Sequence, residues 1–333
     1  MKRGLAVLTV GSSMLLLAGC GTNGNTSNST GNSSGGGSTP KQITIGFVPG
    51  MTTDPFFISM EVGAQQEAQK LGVKLLWQGA SQYSPSQQTP YVNAMIAQKV
   101  SALILCPTDA TAMIPPIQAA VQAGIPVITA DSTITDTSIL TSRVTADNTQ
   151  GGAAAADYLA QATGDKGEVA VLDPAPGIST DAARVQGFEA EMKKYPNMKF
   201  VGVQYDNEQT TSAATLAQNL LLRYPNLVGI FGTDDTSASG AAEGIRSAGK
   251  LGKVQIVGYD AEPAEVQDLQ QGLVSALIAQ KPIEEGQLAV EYAYDKATGN
   301  TAAIKSFDQL SNVVITKDNL SQNQQWVYKS SAN

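Results

Sequence analysis

Residues 227–260 read LVGIFGTDDTSASGAAEGIRSAGKLGKVQIVGYD. The two ends are short apolar runs rich in branched side chains, and each closes on aspartates, Asp234-Asp235 and Asp260. Between them Ser237–Ala248 carries the Ala-rich amphipathic pattern of a helix. A strand, a helix and a strand, with the strands continuously apolar rather than alternating, make the repeating unit of a parallel sheet covered on both faces.

The unit recurs in both directions along the chain. ITIGFV (43–48), VKLLW (73–77), ALILC (102–106), VITA (127–130), EVAVLD (168–173), FVGVQY (200–205) and SALIAQ (275–280) read as further strands. Helical patterns cover 56–71, 87–98, 111–123, 149–162, 180–195, 211–223, 263–271 and 283–298. The spacing predicts an α/β protein of two doubly wound parallel-sheet layers in tandem, with four strands before Thr145 and five after it.

In open parallel sheets the ligand crevice lies outside the carboxyl ends of the strands. Those ends carry Asp54, Asp109, Asp131, Asp173, Asp206, Asp234, Asp235, Asp260 and Gln280, a dense placement for a chain with 29 acidic residues. Helix capping accounts for Asp109, Asp173 and Asp235. It suits Asp131 and Asp260 less well, since a helix-poor STITDTSILTSRVTA follows Asp131 from Ser132 on and AEP follows Asp260.

The N-terminal MKRGLAVLTVGSSMLLLAGC has a basic head, an apolar run too short for the roughly 20 residues of a membrane span, and small residues before Cys20. It reads as a signal peptide over residues 1–19 ending in a lipobox, with Cys20 as the lipid-modified first residue. The Gly-, Ser-, Asn- and Thr-rich stretch over 20–41 reads as a flexible tether. A lipid-anchored position on the outer face of the cytoplasmic membrane follows. With Cys20 lipidated, Cys106 stands alone and no intrachain disulfide is possible. A formal net charge of −8 argues against nucleic acid as a partner, and the absence of histidine removes imidazole chemistry and histidine-ligated metal sites. No metal ligand set and no cofactor motif, neither GxxxxGK[ST] nor GxGxxG, is expected.

DPFF (54–57), PTDA (107–110), IPVITAD (125–131), TADNTQGG (145–152), ARVQGF (183–188), IFGTDDTSASGA (230–241), IVGYDAEP (256–263) and SALIAQKPIEEG (275–286) occur in that order behind the lipobox. With them the chain from Ile43 to Asp318 resembles the ribose-binding branch of the type I periplasmic sugar-binding proteins, the receptors of sugar ABC importers. The resemblance implies two lobes, 42–145 with 281–310 and 146–280 with 311–333, joined by three crossings near Thr145, Lys281 and Ser311. It implies a monosaccharide held between them, hinge closure, recognition by a membrane permease, and a monomer.

A sugar presents hydroxyls at its rim and C–H groups on its faces, so burying it calls for apolar plates and a polar partner for each hydroxyl. Phe56 and Phe57, two of the chain's seven phenylalanines, match the family's aromatic plates. Asp131 matches its hydroxyl-accepting carboxylate, Arg184 its guanidinium donor, and Asp260 and Gln280 match unchanged. Asn207 or Glu208 falls where the family often places an aromatic; Asn207 is the chosen residue. Asp54 and Asp234 stand where the ribose branch has amides, and Ser132 stands where it has an arginine. This exchange of a cation for two acids points to a donor-rich ligand such as a hexose, a pentose in another ring form, a sugar alcohol or an inositol, with an amino sugar relieving the charge directly. Trp77 and Tyr83 are read as structural. A sensor role toward a chemoreceptor or histidine kinase is the alternative, and a glycosidase built on Asp131 and Asp260 a remote one; the expectation is that the chain is not an enzyme.

Overall fold

The structure is a computed structural model that describes residues 42–332. The expected signal peptide, the Cys20 lipidation site and the tether lie outside the described residues.

Two six-stranded sheets form the described chain. The first contains β1 (Thr44–Val48), β2 (Lys74–Trp77), β3 (Ala102–Leu105), β4 (Val127–Ala130), β5 (Ser142–Ala146) and β11 (Asp308–Leu310), in the order β11-β5-β4-β3-β1-β2. The second contains β6 (Gly167–Asp173), β7 (Met198–Tyr205), β8 (Leu227–Gly232), β9 (Gln255–Tyr259), β10 (Ala276–Ala279) and β12 (Val313–Thr316), in the order β12-β10-β9-β8-β6-β7. All pairings are parallel except that of β10 with β12. β3, β4 and β10 are buried at every position, as expected of strands covered on both faces.

Nine helices complete the layers: α1 (Pro55–Leu71), α2 (Pro85–Ala97), α3 (Ile114–Gln122), α4 (Asn148–Thr163), α5 (Ser179–Met192), α6 (Thr210–Arg223), α7 (Asp235–Ser247), α8 (Pro263–Gln271) and α9 (Pro282–Thr298), counted among the described residues. The result is two α/β lobes of like topology. Three strands exceed the nine expected. β5 alternates buried and half-buried positions, and β11 and β12 are short edge segments, so none presents the continuous apolar run that marks the others.

The connections exchange helices between the lobes. The segment after β5 becomes α4, which packs on β8, β9 and β10 of the second lobe, and the segment after β10 becomes α9, which packs on β3, β4 and β5 of the first. Each exchanged helix meets its partner through reciprocal glycines. At the α1/α9 crossing, a Cβ on Gly63 would lie 2.0 Å from the Ile283 carbonyl oxygen, and one on Gly286 would lie 2.3 Å from that of Met60. At the α4/α5 crossing, a Cβ on Gly152 would lie 1.8 Å from the Arg184 carbonyl oxygen, and one on Gly187 would lie 2.0 Å from that of Thr149. Backbone thus touches backbone at both joints, and any side chain would force the helices apart.

Gly152→Ala is therefore expected to destabilise the protein by about 1–3 kcal/mol, the cost of overpacking a tight contact, although alanine is the better helix former. Chemical denaturation would measure it; unchanged stability would show that the α4/α5 joint has slack.

Candidate functional site

The carboxyl ends of both sheets face one cavity, lined from both sheets and holding about 60 Å³ of free space. The lobes touch across its mouth, where Ala110 N–H donates to the Gly177 carbonyl at 3.0 Å and Thr133 N–H donates to Ser179 Oγ at 2.8 Å. The structure is therefore a closed form.

From the first lobe, the chain leaves β1 and starts α1 at Asp54, whose carboxylate caps the helix by accepting from Phe56 N–H at 2.6 Å. Pro55 takes the first helical position, where its missing N–H costs nothing. Phe56 and Phe57 follow, both buried, and both line the cavity. Phe57 stacks on Tyr83 with ring centroids 6.4 Å apart, while Phe56 meets Tyr328 edge-on at 5.7 Å. They serve core and cleft at once.

Asp131 and Asp260 occupy equivalent positions, one just past β4 and the other just past β9, and both have left-handed backbones, with φ +60° and +88°. Such a conformation costs a side chain roughly 1–2 kcal/mol, less for aspartate than for most residues. It turns each carboxylate into the cavity from the end of its strand. Asp260 Oδ1 accepts from Gln280 Nε2 at 2.6 Å and from the Tyr328 hydroxyl at 2.8 Å, and that hydroxyl in turn accepts from Gln280 N–H at 3.0 Å. Lys329 N–H reaches Ser59 Oγ on α1 at 2.7 Å, so the C-terminal segment is tied to both lobes.

Arg184, on α5, is the one cationic side chain among the described residues lining the cavity. Its guanidinium donates to Asn148 Oδ1 at 2.8 Å and to the Thr233 carbonyl at 2.7 Å, pairs with Asp181 at 3.4 Å, and lies 3.7 Å over the Tyr259 ring. Against it stand the carboxylates of Asp54, Asp131, Asp181, Glu208, Asp234, Asp235 and Asp260. Burial and acidic neighbours push several of them up: Asp54 to about 6, Asp234 to about 7, Asp131 to about 8 and Glu208 to about 10. For Asp131 burial dominates, the Arg184 charge opposes it, and Asp260, Asp181 and Asp54 add to it. Asp260 is also raised by burial, held back by Arg184 and by its bonds from Gln280 and Tyr328.

Across the cleft from Asp54, burial, Asp235 and Asp54 push the Glu262 carboxyl up to about 11, and the two side chains hydrogen-bond. Asp54, Asp235 and Glu262 each place a carboxylate oxygen within 4.8 Å of the others, a spacing a cation can bridge.

Of the sequence-derived residues, the cavity gathers Asp54, Phe56, Phe57, Asp131, Arg184, Asp234, Asp260 and Gln280. Two are not brought in. Ser132 spends its hydroxyl on the Pro107 carbonyl at 2.8 Å and lines a neighbouring cavity of about 260 Å³. Asn207 has a left-handed backbone (φ +60°) and is exposed; Glu208 lines the cavity instead. The capping assignment reverses at α7, where Asp234 caps by accepting from Ser237 N–H at 2.8 Å and Asp235 lines the cavity. Tyr83 lines the cavity and Trp77 does not, packing on Phe47 at 4.4 Å. Asp181 had a readable signal, three residues before Arg184 on the same helix face. Tyr328 had none, because its partners lie 48 and 68 residues away.

Two outcomes follow. Asp54, Asp234 and Asp131 hold protons in the closed cleft that an opened or unfolded chain releases. Their raised values mean that stability is lost as pH climbs from about 4 through about 6, 7 and 8. The unliganded protein is expected to melt at a lower temperature at pH 8 than at pH 5, and Asp131→Asn to flatten that slope; a flat wild-type profile in calorimetry would contradict the assignment. Tyr328→Phe leaves the Gln280 N–H without its acceptor and should cost about 1–3 kcal/mol in denaturant unfolding.

A family model described as a periplasmic binding protein domain matches residues 45–301. The ribose import binding protein of Bacillus subtilis (strain 168) is 34% identical over 257 residues, 77% of this chain and 82% of that protein. An ABC transporter solute binding protein from Agrobacterium vitis, solved with bound alpha-D-tagatopyranose, superposes with a TM-score of 0.83 at 36% identity, covering 86% of this chain and 100% of the other. A periplasmic solute binding protein from Actinobacillus succinogenes 130z, solved with D-allose, gives 0.77 at 33% identity over 84% and 100%. These relatives are binding proteins. With a model spanning most of the described residues and relatives this similar over three quarters of its length, the chain belongs to the periplasmic binding protein family.

Proposed function

We propose that this protein is the solute receptor of a sugar ABC importer, which binds a monosaccharide or small polyol between its lobes and presents the closed form to a membrane permease. One observation carries the reading. Asp131 and Asp260 leave equivalent strand ends of opposite lobes in left-handed conformations and face one cavity walled by Phe56, Phe57 and Arg184. A ligand there touches both halves, so its binding energy goes into holding them together.

In this reading the phenylalanines lie against C–H faces, Asp54, Asp131, Asp234 and Asp260 accept from hydroxyls, and Arg184 and Gln280 donate. The lobes are 42–145 with 281–310 and 146–280 with 311–333, and rotation concentrates near Thr145, Lys281 and Ser311. Family membership implies an extracytoplasmic place of work. We further propose export by the signal peptide over 1–19, lipidation at Cys20, the tether over 20–41, and a monomeric receptor. The relatives known with ribose, tagatose or allose support the ligand class.

A thermal-shift screen over pentoses, hexoses, polyols, inositols and amino sugars tests this, since a ligand at 100 times its dissociation constant adds about 2.7 kcal/mol. Absence of any shift would overturn the reading. For a ligand so found, Arg184→Ala or Asp260→Ala is expected to lower affinity by roughly one to three decades while the protein stays folded, and calorimetric titration would show it.

A further inference from the structure

The cleft gathers more acids than a neutral sugar can satisfy. Seven carboxyl groups line it, and the one cationic side chain among the described residues lining it is already committed: Arg184 is bonded to Asn148, Thr233 and Asp181. A neutral sugar brings one donor per hydroxyl and no charge. Such a ligand leaves the clustered acids to keep their protons, whereas a cation lets them ionise against it.

The excess is concentrated. Asp54 from the first lobe and Asp235 and Glu262 from the second set their carboxylate oxygens within 4.8 Å of one another across the lobe boundary. Three acceptors around a tetrahedral ammonium, each at an ordinary charge-assisted hydrogen-bond length, stand roughly 4.5 Å apart. A second observation does not depend on the acids. Gln280 is 2% exposed, lines the cavity beside Asp54 and Asp235, donates to Asp260, and its Oε1 accepts from no donor among the described residues. A buried amide oxygen without a donor marks a place where the ligand supplies an N–H or O–H. The stacked Phe57 and Tyr83 rings on the same wall fit a carbon-bearing ligand rather than a bare hydrated ion.

Resting on the receptor reading above, we propose that the preferred ligand is a monosaccharide-sized polyol carrying a protonated amine, with the ammonium between Asp54, Asp235 and Glu262. The cation then does two things. It offsets the repulsion among these acids when they ionise, and it joins acids from both lobes through one atom.

Calorimetric titration of the full chain at neutral pH would test this with D-glucosamine, D-galactosamine, D-mannosamine and 1-deoxynojirimycin. The controls are D-glucose, D-galactose and D-mannose, the N-acetylated amino sugars, and calcium or magnesium chloride alone. At least one amine is expected to bind roughly ten- to a hundredfold more tightly than its neutral parent, the yield of a charge-assisted contact. N-acetylation should remove the advantage. Asp54→Asn and Asp235→Asn, with folding checked by circular dichroism, should each lower the amine-to-parent affinity ratio about tenfold. Neutral sugars binding as tightly as the amines would overturn the proposal while leaving the receptor reading intact. Tight binding of either divalent cation, lost in Asp54→Asn, would also overturn it by assigning the trio to a metal. If neither neutral nor amine ligands bind, the receptor reading fails and this inference with it.

Discussion

A single buried guanidinium orders the cleft. Arg184 ties the start of α4 through Asn148, the end of β8 through the Thr233 carbonyl and the face of β9 through Tyr259, all from its seat on α5. Its backbone carbonyl is the surface on which α4 rests at Gly152. The same residue therefore sits at the α4/α5 joint through its backbone and supplies the positive charge of the cavity through its side chain. Removing the side chain would leave Asp181 buried without a counter-ion.

Around that cation the acids are in unstable balance. Some hydrogen-bond inside the protein, as Asp260 does with Gln280 and Tyr328, and some cap helices, as Asp54 and Asp234 do. Others keep protons that bulk water would remove, Asp131 and Glu208 among them. In the proposed reading a guest that satisfies these acids couples occupancy to shape, through its differential affinity for the closed form.

The fold was legible because its strands are buried on both faces. VITA and SALIAQ read as strands without any knowledge of what surrounds them, and the aspartates after them marked the crevice. Edge segments escaped, since β11 and β12 are three and four residues long and only partly buried. Among site residues, those at strand ends were readable and those depending on side-chain direction were not. At α7 the sequence offers two adjacent aspartates that both line the cavity, and position at the helix start decides that Asp234 rather than Asp235 also caps it. Ser132 follows Asp131 directly but points to Pro107, because the left-handed turn that aims Asp131 inward sends its neighbour the other way. Tyr328 and Glu262 act through partners distant in sequence, and no local pattern encodes such a meeting.

The exchange of helices between the lobes has a bearing on how the molecule is made. The first lobe obtains α9 from residues 282–298 and its edge strand from 308–310, so most of its sheet is synthesised long before its last cover. A chain emerging N-terminus first cannot finish either half until nearly all of it has appeared. Domains fold as units, and here both units close late and almost together. That delay leaves the first sheet without its covering helix and edge strand until the late part of the chain is made.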